Sequence, residues 1–375
     1  MKKNIVLVTW IGARNYGTCL QCYALYKKLQ GLGYDMSLLY RKPMRYTLKT
    51  CIKGILRELG LLEILKKLKY IVFHTPMSLQ DIKRARFQNK FFTIVELYSK
   101  RKENKLISRT DCFIAGSDQI WNTFFMYDPC YFLSFAKGVK KISYASSIGT
   151  NGVKDEYRNE VRKHLMEFSH IGVREMEAVN VLSNLTGRND IVQVLDPTFL
   201  LSPEEWKEVA NYSIYENKLP KDYILCYLIG KNPWYNEQLH DVQNKLGILD
   251  IIILPAAENP DFRFDDAYIY NDASPVEFVD LLQRAKYVCT DSFHATALSI
   301  NNSVPFVEFM RFDDSEKKSQ NSRIYDVLSH YGLMHRIYNG QSSEWLHQID
   351  FGHVQQILKQ DRIKSLDYLL YAIEN

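Results

Sequence analysis

From Lys286 to Phe309 the chain passes from an apolar strand into a polar turn, a helix and a second apolar strand, with almost no spacer. Lys286 to Thr290 reads as a buried strand, Asp291-Ser292 as the turn, Phe293 to Ile300 as the helix, and Val304-Pro305-Phe306-Val307-Glu308-Phe309 as the next strand. A strand, a crossover helix and a strand in such close succession form a parallel pair, and parallel sheets need cover on both faces. The polar residues fall at the carboxyl end of the first strand, where open α/β sheets bind ligands. The helix start adds free backbone N–H groups and the positive end of the helix dipole, which suits an anion.

The same alternation runs through the rest of the chain. In the first half Asn4–Thr9, Asp35–Tyr40, Cys112–Ala115, Lys141–Ser146, His170–Val173 and Val192–Leu195 read as strands, with helices over Thr18–Gly31, Glu156–Phe168 and Glu175–Ser183. In the second, strands over Tyr223–Ile229 and Asp250–Leu254 alternate with helices over Tyr235–Leu246 and Pro275–Arg284. Val354–Ile373 reads as one terminal amphipathic helix. At 375 residues the chain is too long for one ordinary core. The restart after Pro203 and Pro220 divides it into two doubly wound, Rossmann-like α/β domains, residues 1–200 and 201–350, with residues 351–375 as a closing helix. Two such halves are expected to face each other across a ligand cleft. No internal repeat is visible.

Composition narrows the setting. The chain is 46% apolar and 24% charged, and no apolar run reaches the roughly 20 residues of a bilayer-spanning helix. The apolar run before Trp10 is short, is interrupted by Thr9 and soon meets Gly12 and Arg14, so it reads as a first strand and not as a leader. Seven cysteines are scattered, with only Cys19 and Cys22 close together, so no metal ligand set is expected and a reducing cytoplasm fits. The net charge of +5 is unevenly held: residues 41–110 carry 18 Lys+Arg against 5 Asp+Glu, a local +13 that leaves −8 for the remainder. Residues 41–105 read as a basic helical insertion in the first domain. Ile52, Ile55, Leu56, Leu59, Leu62 and Leu65 recur there at helical spacing, so the insertion is either a solvated helix or a basic amphipathic surface for an anionic membrane. Nucleic acid is not expected as a partner, since no aromatic-interleaved motif accompanies the charge.

The candidate chemistry lies in the turns that end strands. Arg14-Asn15-Tyr16-Gly17-Thr18 opens the first helix; Gly17 would admit a close backbone approach and Asn15 and Thr18 would donate to a ligand, with a plain helix cap as the alternative. Gly116-Ser117-Asp118-Gln119-Ile120-Trp121-Asn122 follows a buried strand, and a helical reading sets Asp118 and Asn122 on one face. Arg174 ends another strand and suits a carboxylate or phosphate; an ion pair with Glu175 or Asp196 is the competing role. Asp196-Pro197-Thr198 reads as a hinge. His294, one position into its helix beside Asp291, Ser292 and Thr296, is the best single candidate for a proton donor. The helix dipole disfavours its imidazolium by less than about one pKa unit, whereas a contacting phosphate or carboxylate favours it by about 1–3. With an anion bound, the charged form is expected. Arg311, Lys318 and Arg323 follow the last strand and either form a basic loop over the same cleft or are simply solvated.

With these residues in hand the chain resembles the polysaccharide pyruvyl transferase family. The resemblance rests on Asn15 to Thr18, Gly116 to Asn122, Ser143-Tyr144-Ala145-Ser146-Ser147-Ile148-Gly149, Val173-Arg174-Glu175, Asp196-Pro197-Thr198 and Thr290 to His294, in that order. It implies a GT-B-like fold and phosphoenolpyruvate as donor co-substrate, with no cofactor and no metal. The expected product is a cyclic pyruvate ketal on two hydroxyls of a sugar, 4,6 of galactose at the family level. The acceptor would be an undecaprenyl diphosphate-linked oligosaccharide of a capsule or other surface glycan, modified in the cytoplasm or at the inner membrane face. The resemblance carries Arg174 to donor binding and His294 to catalysis, and the chemistry assigns Asp118 to orienting or deprotonating the acceptor. Substrate contacts are then expected from Asn15, Tyr16, Gly17, Thr18, Gly116, Ser117, Asn122, Ser146, Asp291, Ser292, Thr296, Glu308, Lys318 and Arg323. Some relatives carry arginine two positions before the histidine; Ser292 stands there in this chain, which leaves the second basic contact to Arg311, Lys318 or Arg323. Two other readings share these features: a GT-B glycosyltransferase using a nucleotide sugar, and a non-catalytic glycan- or lipid-binding protein.

Overall fold

The first strand shows how both sheets are built. In β1 (Asn4–Val8) Ile5 and Leu7 enter one apolar cluster while Val6 and Val8 enter another, so the strand is buried on both faces. In β8 (Tyr223–Tyr227) Tyr223, Leu225 and Tyr227 join the first of those clusters, and Ile224 and Cys226 a third. One core is therefore shared between two sheets, and each sheet has a further core on its outer face. The computed structural model describes residues 2–11, 15–41, 45–61, 78–215, 218–312, 320–340 and 342–375.

The first sheet is all parallel, in the order β3 (Ile94–Glu96), β2 (Asp35–Arg41), β1, β4 (Cys112–Ala115), β5 (Lys140–Ser146), β6 (His170–Val173) and β7 (Val192–Gln193). The second is also parallel, in the order β10 (Tyr268–Ile269), β9 (Asp250–Ile253), β8, β11 (Tyr287–Thr290) and β12 (Phe306–Glu308). The helices described are α1 (Tyr16–Gly31), α2 (Leu48–Glu58), α3 (Leu79–Phe91), α4 (Lys100–Ile107), α5 (Arg158–Leu165), α6 (Met176–Thr186) and α7 (Pro203–Ala210), then α8 (Tyr235–Leu246), α9 (Pro275–Arg284), α10 (Phe293–Asn301), α11 (Ser322–His330) and α12 (Phe351–Glu374). This is the doubly wound, two-domain GT-B-like arrangement. α12 ties the halves together: Gln355 donates to Ile300 O beside the second sheet, and Tyr368 Oη donates to Ser143 O of β5 at 2.9 Å.

The basic segment differs from its sequence reading. It includes an edge strand, β3, and α3 is not a solvated helix: Phe87 and Phe91 pack on Tyr23, and the Lys83 ammonium is buried against Tyr270. Leu62 and Leu65 lie outside the described residues.

Candidate active site

In each sheet the strand order reverses once, between β1 and β4 and between β8 and β11, and crevices for ligands form at such switch points. α1 starts beside the first switch and α10 beside the second, and the two helix starts meet. A Cβ added to Gly17 would stand 2.3 Å from His294 Nδ1, so only glycine fits between the α1 backbone and that imidazole. Next to it Tyr16 stacks on Phe278 at 5.0 Å and lies 5.5 Å from Tyr227. Tyr16 is thus a core residue fastening the two sheets. Asn15 caps α1, its Oδ1 accepting from Thr18 N at 3.1 Å.

Arg174, at the end of β6, is buried among carboxylates. Its Nε donates to Glu175 Oε1 at 2.8 Å and its Nη1 to Asp196 Oδ2 at 3.0 Å, while Nη2 has no hydrogen-bond partner among the described residues. Burial works against the guanidinium's charge, yet Glu175 and Asp196 outweigh it and hold its pKa above the ordinary value. The competing ion-pair role is therefore realised with both acids at once, and one nitrogen is left over. Asp196, taken from the sequence as a hinge residue, is the hub: its Oδ2 also accepts from Ser117 Oγ at 3.3 Å and stands 3.7 Å from His294 Nε2. Glu175 Oε1 accepts from Ser147 Oγ at 2.7 Å, and its Oε2 is buried without a hydrogen-bond partner among the described residues.

His294 Nε2 is also buried and has no hydrogen-bond partner among the described residues. Burial pushes this imidazole below its ordinary pKa, against the opposing pull of Asp196 and Asp118, so the free protein holds the neutral ring near pH 7. The dipole argument from sequence left out this desolvation. Arg323, on α11, gives Nη2 to Gln320 Oε1 at 2.7 Å, and no carboxylate lies within ion-pair distance of it among the described residues. Burial, then the neighbouring Arg174, push its pKa down to about 9. Both guanidiniums flank one ring, Arg174 at 4.5 Å and Arg323 at 5.8 Å from the centre of Phe293. A cleft of about 140 Å³ opens between them, walled by Arg174, Glu175, Asp196, Phe293 and Arg323. His294 and Asp118 do not line it; His294 approaches its edge through Asp196.

Other expected contacts are spoken for. Asp118 has a left-handed backbone (φ 71°) and the stretch to Asn122 is a turn, so no shared helical face exists. Asp118 Oδ2 accepts from Thr18 Oγ1 at 2.6 Å, joining the turns after β1 and β4. Asn122 instead organises its own loop, donating to Gln119 Oε1 and accepting from Phe124 N and Phe125 N. Gly116 sits at φ 125° with a Cβ position 2.0 Å from Tyr144 O, and Ser146 Oγ donates to Ala115 O, so both are structural. Asp291 does not face His294: it accepts from Ile229 N, Gly230 N, Tyr235 Oη and Arg311 Nε. That occupies Arg311, whereas Arg323 has no carboxylate within ion-pair distance among the described residues; Lys318 lies outside them. Ser292 accepts through its carbonyl from Thr296 Oγ1, which is also hydrogen-bonded to Glu308, a fully buried acid that burial holds well above the usual carboxylate range.

Two all-parallel doubly wound domains, with Arg174 and Arg323 buried beside one cleft, define a GT-B-like protein. The polysaccharide pyruvyl transferase model matches residues 15–314, and the chain belongs to that family. None of the curated proteins matches it. Among solved structures, UDP-GlcNAc 2-epimerase from Methanocaldococcus jannaschii in complex with UDP-GlcNAc and UDP is similar at 14% identity, with TM-score 0.47 over 99% of this chain and 100% of that one. UDP-GlcNAc 2-epimerase from Neisseria meningitidis bound to UDP-GlcNAc gives 12%, 0.46, 100% and 93%, and MurG from Acinetobacter baumannii 10%, 0.39, 97% and 94%.

Proposed function

We propose that this protein transfers pyruvate from phosphoenolpyruvate to two hydroxyls of a sugar in a surface-polysaccharide precursor, closing a cyclic ketal and releasing phosphate. The observation that carries the reading is the pair of guanidiniums around Phe293. Among the described residues one has a nitrogen without a hydrogen bond, the other has no carboxylate within ion-pair distance, and an imidazole nitrogen without a hydrogen bond stands nearby. A compact polyanion would satisfy all three, and phosphoenolpyruvate carries a carboxylate and a phosphate on three carbons.

In this scheme the bound anion raises the His294 pKa and the ring becomes imidazolium. It gives its proton to the donor's methylene carbon, which becomes a methyl group while positive charge develops at the central carbon. One sugar hydroxyl attacks that carbon and loses its proton to a carboxylate. Phosphate then leaves, held by the arginines, and the second hydroxyl closes the ring, its proton departing with the phosphate. Asp118 is one candidate for the base. Glu175 is another, since its Oε2 has no hydrogen-bond partner among the described residues and its side chain lines the cleft. An acceptor on undecaprenyl diphosphate, met at the inner face of the membrane, is part of the same proposal.

Phosphoenolpyruvate should raise the melting temperature where a panel of sugar nucleotides does not. Stabilisation by a nucleotide alone would favour the glycosyltransferase reading. With the donor present, mass spectrometry of candidate lipid-linked acceptors should show the gain of one pyruvate less water. His294→Gln should abolish that gain and keep the fold; near-normal turnover would remove His294 from the role.

A further inference from the structure

Among the described residues, the polar and close contacts that fasten helix α2 lie along one side. Gly54 lies against Tyr98, where an added Cβ would come within 2.2 Å of the ring, and Cys51 Sγ donates to Tyr98 O at 3.0 Å. Arg57 pairs with Glu96, and Glu58 with Lys102. At about 100° per residue these four share one half of the helix surface. Leu48, Ile52, Ile55 and Leu59 form a stripe that this attachment does not cover, and they are 78%, 49%, 46% and 65% exposed. Lys49 and Lys53, both exposed, flank it. Single exposed apolar residues are ordinary, but four in line at helical spacing mark an interaction surface.

Charge selects the kind of surface. The surrounding residues 41–110 hold 13 more positive than negative side chains, so an anionic partner is favoured over a neutral one. Topology gives the orientation: α2 follows β2 and so starts from the carboxyl edge of the first sheet, the edge that also carries α1 and the Ser117-Asp118 turn. The turn after β4 exposes Phe124 and Phe125 from this edge as well. No helix among the described residues is long and apolar enough to cross a membrane.

We propose that α2 docks this protein on an anionic lipid surface, its apolar stripe entering the boundary between headgroups and acyl chains and Lys49 and Lys53 meeting lipid phosphates. Docked in this way, the sheet edge that bears the cleft faces the bilayer.

The test is flotation of the full chain with vesicles. Vesicles of phosphatidylcholine with phosphatidylglycerol should carry the protein at low salt, less so at high salt, and pure phosphatidylcholine vesicles should not. Lys49→Gln with Lys53→Gln should weaken binding on the order of tenfold or more. Ile52→Asp with Ile55→Asp should abolish it, and the melting temperature should hold because both side chains are exposed. Absence of flotation at low salt, or flotation unchanged in the Ile52→Asp/Ile55→Asp variant, would overturn the proposal. So would light scattering that finds a dimer dispersed by those two substitutions, which would assign the stripe to a second copy of the chain.

Discussion

At Gly17 a missing side chain sets the distance between two domains. An alanine there would place a methyl group 2.3 Å from the His294 ring, and the ring or the α1 backbone must move. Displacements of about an ångström at a reacting group can cost roughly a hundredfold in rate. Gly17→Ala is therefore expected to lower kcat by about that factor with only a modest change in melting temperature; unchanged turnover would separate the helix contact from catalysis. His294 itself should couple donor binding to a proton. Burial lowers its pKa in the free protein and the donor anion opposes that shift, so donor binding takes up a proton. Donor affinity should then fall as pH rises through and above the imidazole range, a dependence that His294→Gln should flatten in calorimetric titrations. The same depressed pKa makes folding stability fall as pH drops below the ordinary imidazole value, because the unfolded chain accepts a proton that the folded one resists. At this scale the motifs singled out His294, Arg174, Asp118 and Thr18, and an ion pair of Arg174 with Glu175 or Asp196 was already one of the readings. What the sequence left open is that Arg174 meets both acids, Asp196 from 22 residues away through the adjacency of β6 and β7.

Among elements, α3 departs furthest from what its sequence suggests. Its basic composition reads as solvated, yet Lys83 is buried and donates to Ile214 O at 2.8 Å and Tyr270 Oη at 3.0 Å, with Glu277 Oε1 3.4 Å away. Glu277 closes the capping box of α9 with Ser274, a pairing visible in Ser274-Pro275-Val276-Glu277. Lys83→Met would leave that carboxylate buried without its cation, and removing one partner of a buried pair typically costs about 3–5 kcal/mol. Urea denaturation should register a loss of this size; one below roughly 1 kcal/mol would mean the capping bonds suffice for Glu277. The edge strands β3 and β10 passed unread because three and two residues carry no period.

The whole molecule depends on α12 and on a core shared between its sheets. Arg362 donates to Phe199 O at 2.6 Å, Lys140 donates to Ile373 O at 3.1 Å, and Leu358 and Leu369 are fully buried in the shared cluster. Leu358→Ala or Leu369→Ala should each cost about 2–5 kcal/mol. Calorimetry should still show one transition, because the cluster includes residues from both sheets; two separated peaks would mean that the halves melt independently. Strand and helix periods, cap residues and the ordered motifs are written locally along the chain. They were enough for the α/β class, the two doubly wound halves and the family. Which nitrogen of Arg174 lacks a hydrogen bond and, among the described residues, that Arg311 is tied to Asp291 while Arg323 meets no carboxylate, were decided only by folding, as was the desolvation of His294, because pairing and burial depend on neighbours that the strand order brings together from distant parts of the chain.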